Sequence, residues 1–378
     1  MARFSPNPLS APPPDPSPDS SPDSSPGPSP DPSPDPSPVT LGIDVGGTKM
    51  LGLALDADGT VVGQAVRASS HPGPSAAGHP AAAHALVALM AELASELQVG
   101  LEAADLGSAM SLGIGVPGLV DDTGRLRLAP NLPAGDDLDV ARMVQQRVGM
   151  RVVADNDATC AAVAEWVLGA AVGRRHALMV TLGTGIGGGL VCDGRVMRGA
   201  HGFAGEIGHM VVDPSGPRCT CGKRGCWERF ASGSGLARLA REAAHAGRLG
   251  AVVHMAGDDP DAVRGEHVTA AAAGGDEEAQ AVLDELGWWI AVGLSNLALV
   301  LDPEIIVMGG GMVHAMGQFL GAVRAGFAEM LEGADRRPDI PIVAAVMGEQ
   351  AGAVGAALVA RDDDRYAAGL AHRRDAGL

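Results

Sequence analysis

From residue 39 onward, short apolar runs bounded by Gly, Asp and Asn alternate with stretches whose apolar positions recur at helical spacing. The pattern predicts strands over 40–44, 50–55, 61–68, 111–116 and 152–154, and helices over 80–97, 139–148 and 157–169. A second series follows, with strands over 177–182, 189–192, 195–197 and 305–307 and helices over 235–246, 277–300, 316–331 and 351–360. Strands interleaved with helices in this way imply α/β architecture.

The two series open alike. LGIDVGGTKMLGLALDADGTVVGQ and LMVTLGTGIGGGLVCDGRVMRG each read strand, Gly/Thr-rich turn, strand, Asp-Gly turn, strand. Such turns present backbone N–H groups and hydroxyls, a chemistry suited to polyphosphate oxygens. Taken singly, either turn reads equally as a tight hairpin. Facing each other, the two predict a clamp on a nucleotide's phosphates. A third cluster, Met308-Gly309-Gly310-Gly311, follows a predicted strand; it suits close backbone approach to a flat adenine–ribose group, or a plain strand-to-helix turn.

Composition divides the chain. Residues 1–38 are built from DPSP and SPDS repeats with too few apolar groups to offset the entropy of ordering, so disorder or polyproline-like structure is expected, as a tether or a dispensable extension. They lack the basic start and apolar stretch of a cleavable signal. The whole chain has 378 residues, enough for two domains, and a formal charge of −18, which argues against nucleic-acid or acidic-membrane partners and for small-molecule chemistry. No uninterrupted apolar run has the eighteen or so residues needed to cross a bilayer. A cytoplasmic protein is expected.

Candidate chemistry concentrates in GEIGHMVVDPSGPRCTCGKRGCWE, where His209, Cys219, Cys221 and Cys226 offer one imidazole and three thiols. That set matches tetrahedral zinc, with Gly222 and Gly225 permitting the tight reversals needed. The competing reading, a disulfide framework, suits neither the chain's size nor its five cysteines. With all four positions filled by protein, the metal would be structural, pinning His209 and its neighbours Glu206 and Glu228. Cys160 and Cys192 lie in apolar surroundings and read as ordinary core thiols.

Four motifs, in this order, carry a resemblance: Asp44-Val45-Gly46-Gly47-Thr48-Lys49; Asn156-Asp157; the run from Thr181 through Gly183, Thr184, Gly185 and Gly187 to Gly189; and Glu206-Ile207-Gly208-His209 leading into the cysteine cluster. Over residues 40–360 the chain resembles the ROK family of sugar kinases and repressors, and its second half is similar to the actinobacterial ATP-dependent glucokinases. The resemblance implies an actin-like (ribonuclease-H-like) α/β fold of two lobes around a cleft, with lobes at 39–170 (rejoined by the helix at 350–361) and 171–349, the second carrying the zinc loop 206–228. It also implies ATP-dependent phosphorylation of glucose at the 6-hydroxyl, with other hexoses and N-acetylated amino sugars as alternatives, or a non-catalytic sugar-responsive regulator. A dimer or tetramer is implied, with Trp288 and Trp289 as either contact or core.

Residue by residue, the resemblance assigns Asp157 as general base and Asn156, Glu206, His209 and Glu228 as sugar ligands. A buried carboxylate that removes the attacking hydroxyl's proton, and acceptors for paired hydroxyls, are what such a transfer needs. Asp157 also reads as a helix N-cap. His209 is expected to use one ring nitrogen on zinc and the other on a hydroxyl. Asp44 is expected to hold Mg²⁺ through water, and Thr48, Lys49 and Thr184 to contact phosphates. The segment from Gly113 through Gly115 and Pro117 to Gly118, and Asn131, resemble the family's substrate-side loops.

Overall fold

The protein is described by a computed structural model covering residues 3–4, 39–69, 80–129, 132 and 137–361. The expected Pro/Ser/Asp-rich tail lies outside the described residues apart from Arg3–Phe4, which forms a short strand, β1. Asn131 also lies outside them.

The first sheet contains β1, β2 (Val39–Val45), β3 (Lys49–Leu55), β4 (Val61–Ala68), β5 (Ala109–Val116) and β8 (Arg151–Asn156), in the order β1-β4-β3-β2-β5-β8. Strands β2, β3 and β4 run antiparallel in series, and β5 and β8 continue parallel to β2. A small hairpin, β6 (Leu119–Val120) with β7 (Leu126–Leu128), follows β5. The second sheet repeats the plan with β9 (Ala177–Leu182), β10 (Ile186–Cys192), β11 (Arg195–Val196), β12 (Ile305–Gly309) and β13 (Ile342–Ala344), in the order β11-β10-β9-β12-β13. There β9, β10 and β11 form the antiparallel series, and β12 and β13 run parallel to β9. The internal echo in the sequence is thus a structural repeat.

Period-two side-chain alternation gives each sheet two apolar faces. In β3, Met50 and Ala54 join the outer core, with helices α1 (Pro80–Ala103) and α2 (Val140–Val148), while Leu51, Leu53 and Leu55 point the other way. In β9, Leu178, Val180 and Leu182 face the outer core of the second sheet, whereas Ala177 and Met179 face inward. That second outer core is covered by α5 (Gly233–His245), α6 (Gly250–Met255), α7 (Gly265–Ala273), α8 (Glu277–Leu301) and α9 (Met316–Met330). The inward faces of both sheets meet on α3 (Asp157–Val167) and α10 (Ala351–Ala360). The result is five layers, helix–sheet–helix–sheet–helix.

The middle layer is close-packed through small residues. A Cβ on Gly113 would fall 1.7 Å from the carbonyl oxygen of Ala356, and one on Gly355 would fall 1.6 Å from that of Cys160. Both positions require glycine for the helices to approach. Every residue of α10 is buried.

Several expectations are corrected. The helix at 80–97 runs on to Ala103, that at 157–169 ends at Val167, and the strand at 189–192 starts at Ile186. Helices α6 and α7 and strand β13 were not foreseen. Although no apolar run is uninterrupted, α1 over Ala81–Ala103 and α8 are long and apolar enough to cross a membrane. Half or more of each is buried in this fold, as for core helices of a layered domain. Trp289 stacks against Phe230 with centroids 4.1 Å apart, whereas Trp288 is 44% exposed. Cys160 is buried and Cys192 half-buried.

Candidate active site

The junction of β8 and α3 sets the first group. Asn156, not Asp157, caps the helix: its side chain accepts from the Thr159 N–H at 3.0 Å and its amide donates to the Gly118 carbonyl at 3.1 Å. Asp157 is therefore the first helical residue, and its carboxylate accepts from the Ala158 N–H at 2.8 Å. Burial pushes the Asp157 carboxyl above the ordinary range, against the opposing pull of the hydrogen bonds from Ala158, its own N–H and Asn156. A raised carboxyl at a helix start has the electrostatics of a proton acceptor.

Asp44, at the end of β2, lies on the other side of Gly115. A Cβ placed there would be 3.5 Å from the Asp157 Cα and 3.6 Å from the Asp44 Oδ1. Burial, then repulsion from Asp157, raise Asp44 to about 7, with Lys49 pulling the other way. A raised carboxyl contributes stability below its unfolded pKa and loses it as pH climbs towards the folded value. Rising pH should therefore erode the ligand-free fold between roughly pH 4 and 7. Asp44→Asn is expected to raise the thermal midpoint at pH 8 and to change it little near pH 4. A thermal-melt series across pH checks this; equal shifts at both ends would refute the coupling.

The cysteine-bearing loop brings the four candidate ligands together. The His209, Cys219, Cys221 and Cys226 donor atoms all lie within 4.8 Å of one another. His209 Nδ1 is 3.7 Å from the Cys219 sulfur, and the Cys221 and Cys226 sulfurs are 3.5 Å apart. Those separations match the edges of a tetrahedron with zinc–ligand bonds of about 2.0–2.3 Å, so the residues present fit the metal. His209 turns its other nitrogen, Nε2, towards Glu206, 3.8 Å from Oε2. Glu228 accepts from the Cys219 thiol at 3.0 Å. Burial raises Glu206, with Asp157 and Glu228 adding to it and His209 opposing.

One cavity of about 620 Å³ is lined by Asn156, Asp157, Glu206, His209 and Glu228 together with Thr181, Gly183, Thr184, Gly185, Gly187 and Gly310; Asp44 and Gly115 lie outside that lining. Its other walls include Pro117, Gly118, Leu128, Phe203 and Lys223. Gly309 is not among them; it is buried in β12 beneath Met179 and Ala345. Gly46, Gly47 and Thr48 form the β2–β3 turn, apart from that lining, and Lys49 pairs with Glu349 at 2.6 Å on the surface.

A family model described as the ROK family matches residues 40–363. The chain belongs to the ROK family. A glucokinase of Streptomyces coelicolor is 35% identical to this ROK protein over 329 residues, covering 86% of this chain and 98% of the relative. A ROK glucokinase of Streptomyces griseus, solved with glucose and AMPPNP, aligns with a TM-score of 0.74 at 34% identity, covering 86% of this chain and 100% of that one. The xylose repressor of Bacillus subtilis is 26% identical over 286 residues, covering 76% of this chain and 67% of the repressor. The ROK protein has the actin-like ATPase fold of its kinase neighbours, and the repeated sheets are its two lobes.

Sequence reasoning missed one pair beside the cavity. Asp155 accepts from Arg198 Nε at 2.7 Å, and both side chains are about nine-tenths buried. Its only sequence signal is an acid next to Asn156-Asp157.

Proposed function

We propose that this ROK protein is an ATP-dependent sugar kinase that phosphorylates glucose at its 6-hydroxyl. The observation that carries the reading is the convergence of a partly buried, raised carboxyl (Asp157), the polar side chains of Asn156, Glu206, His209 and Glu228 and the Gly183–Gly187 hairpin turn on one cavity between two lobes. ATP and a small sugar account for both halves of that lining. The similarity to glucokinases supports glucose over other hexoses.

In this mechanism Asn156, Glu206, His209 Nε2 and Glu228 hold the sugar hydroxyls, each acceptor selecting a hydroxyl by leaving no unpaired partner. Asp157 takes the proton of the 6-hydroxyl as its oxygen bonds to the γ-phosphorus, and the bond to the bridging oxygen breaks to release ADP. The backbone of the β9–β10 turn, with Thr181 and Thr184, faces the phosphates. Asp44 would hold Mg²⁺ through water, a single carboxylate with retained hydration being a usual arrangement for that ion, which would supply positive charge to the polyphosphate. Zinc, when bound by His209, Cys219, Cys221 and Cys226, fixes the tautomer and aim of His209.

The test is ADP release with ATP–Mg²⁺ against glucose, mannose, fructose, N-acetylglucosamine and N-acetylmannosamine. Preference for glucose is expected. Preference for another sugar would replace the substrate, and sugar binding without turnover on any of them would overturn the kinase reading in favour of a sugar-responsive regulator.

A further inference from the structure

The chain from Arg198 to Glu206 leaves β11 in the second lobe and delivers Phe203 and Glu206 to the cleft. It is held at several points. The Ala204 N–H donates to the Arg198 carbonyl at 3.0 Å. Gly202, at φ +92°, lies against the first lobe's hairpin so closely that a Cβ would sit 2.7 Å from the Val120 carbonyl oxygen. Arg198 reaches across to Asp155 on β8, Nε to Oδ2 at 2.7 Å, with side chains only 10% and 9% exposed. The other Asp155 oxygen, Oδ1, accepts from the Asn156 N–H at 2.8 Å.

One carboxylate therefore joins two pieces of the site. Through Oδ1 it fixes the peptide that leads into the base Asp157; through Oδ2 it fixes the root of the loop that carries Glu206. These pieces come from different sheets. A charged pair removed from water gains little net stability over an apolar pair of similar volume, yet it dictates one geometry. We propose that Asp155 and Arg198 are positioning residues of the sugar site: their ion pair sets Glu206 in register with Asn156 and Asp157 across the cleft. The inference rests on the sugar-kinase reading. Neither residue touches the sugar; both act through Glu206 and Asn156.

The experiment compares wild-type protein with Asp155→Asn/Arg198→Met, which removes both charges at similar volume, and with Arg198→Lys, which keeps the cation. Dissociation constants for the sugar and for ATP are measured separately by calorimetry, beside the thermal midpoint and bound zinc. In the double variant, sugar affinity is expected to fall by about 10- to 10²-fold, the scale of losing one hydrogen bond to a charged group when Glu206 shifts, with ATP affinity held within about twofold. Arg198→Lys is expected to recover most of this, leaving a loss of about three- to tenfold. A folded, zinc-loaded double variant with wild-type sugar affinity overturns the proposal. So does a loss that falls equally on sugar and ATP, which marks a merely structural pair. Where the double variant does not fold, Arg198→Lys decides: a loss confined to sugar supports the pair's role, and wild-type affinity refutes it. A wild-type protein that binds none of the panel sugars sinks the kinase reading itself, which is a separate outcome.

Discussion

Asp157→Asn is expected to lower turnover by about 10²–10⁴-fold, the usual contribution of a general base, while leaving sugar affinity within a few-fold of wild type. The asymmetry follows from the structure. Asn156 already supplies the helix cap through Thr159, so replacing Asp157 removes no capping group, and the sugar's remaining partners stay in place. What disappears is the proton acceptor. In the wild-type protein the same group predicts a pH profile. Its carboxyl is held above the ordinary range by burial in the ligand-free protein, so kcat/KM should decline as pH falls through a value higher than that of a free aspartate. Steady-state kcat and kcat/KM for both proteins, measured from pH 5 to 9, check both statements. A variant with a near-normal rate would remove Asp157 from the role of base.

The second large effect is expected from the metal. Prolonged chelation, or Cys221→Ser, should weaken sugar binding by about 10²-fold or more, since fixing a ligand through its partner metal commonly carries one to two orders of magnitude and here two sugar-facing groups depend on it. His209 loses the constraint that aims Nε2 at the cleft. Glu228 rests on the same loop, its Oε1 3.0 Å from the Cys219 sulfur and 3.8 Å from His209 Nδ1, so loosening the loop removes its support as well. Calorimetric titration with glucose before chelation, after it, and after zinc is restored tests the link. Metal-free protein that binds sugar with unchanged affinity would show the zinc loop to be irrelevant to the site.

Much of this architecture was legible because its strands stand out as bounded apolar runs. β9 and β12 send odd and even residues to different cores, so both faces are apolar and each strand reads as a short continuous apolar run ended by turn residues. The repeat of hairpin and Asp-Gly turn was likewise readable, and so was the gathering of His209, Cys219, Cys221 and Cys226, which lie close in sequence. What escaped notice was short or long-range. β13 has three residues and α6 six, too few for any periodicity to show. The Asp155–Arg198 pair joins positions 43 apart that only the folding of two sheets brings together. Gly309 shows the converse failure: Met308–Gly311 reads as one ligand-facing cluster, yet the strand's own alternation buries Gly309 and leaves Gly310 at the cavity.

Helix α10 packs against β2, β5 and α3, so a layer shared by both lobes is completed by residues 351–360. During synthesis the first lobe thus emerges with the inner face of its sheet covered only in part, by α3, and must wait for the whole second lobe before that face is sealed. Until then Leu51, Leu53 and Leu55 remain a sticky surface for which chaperones compete, and a ribosome that stalls before α10 leaves neither lobe finished.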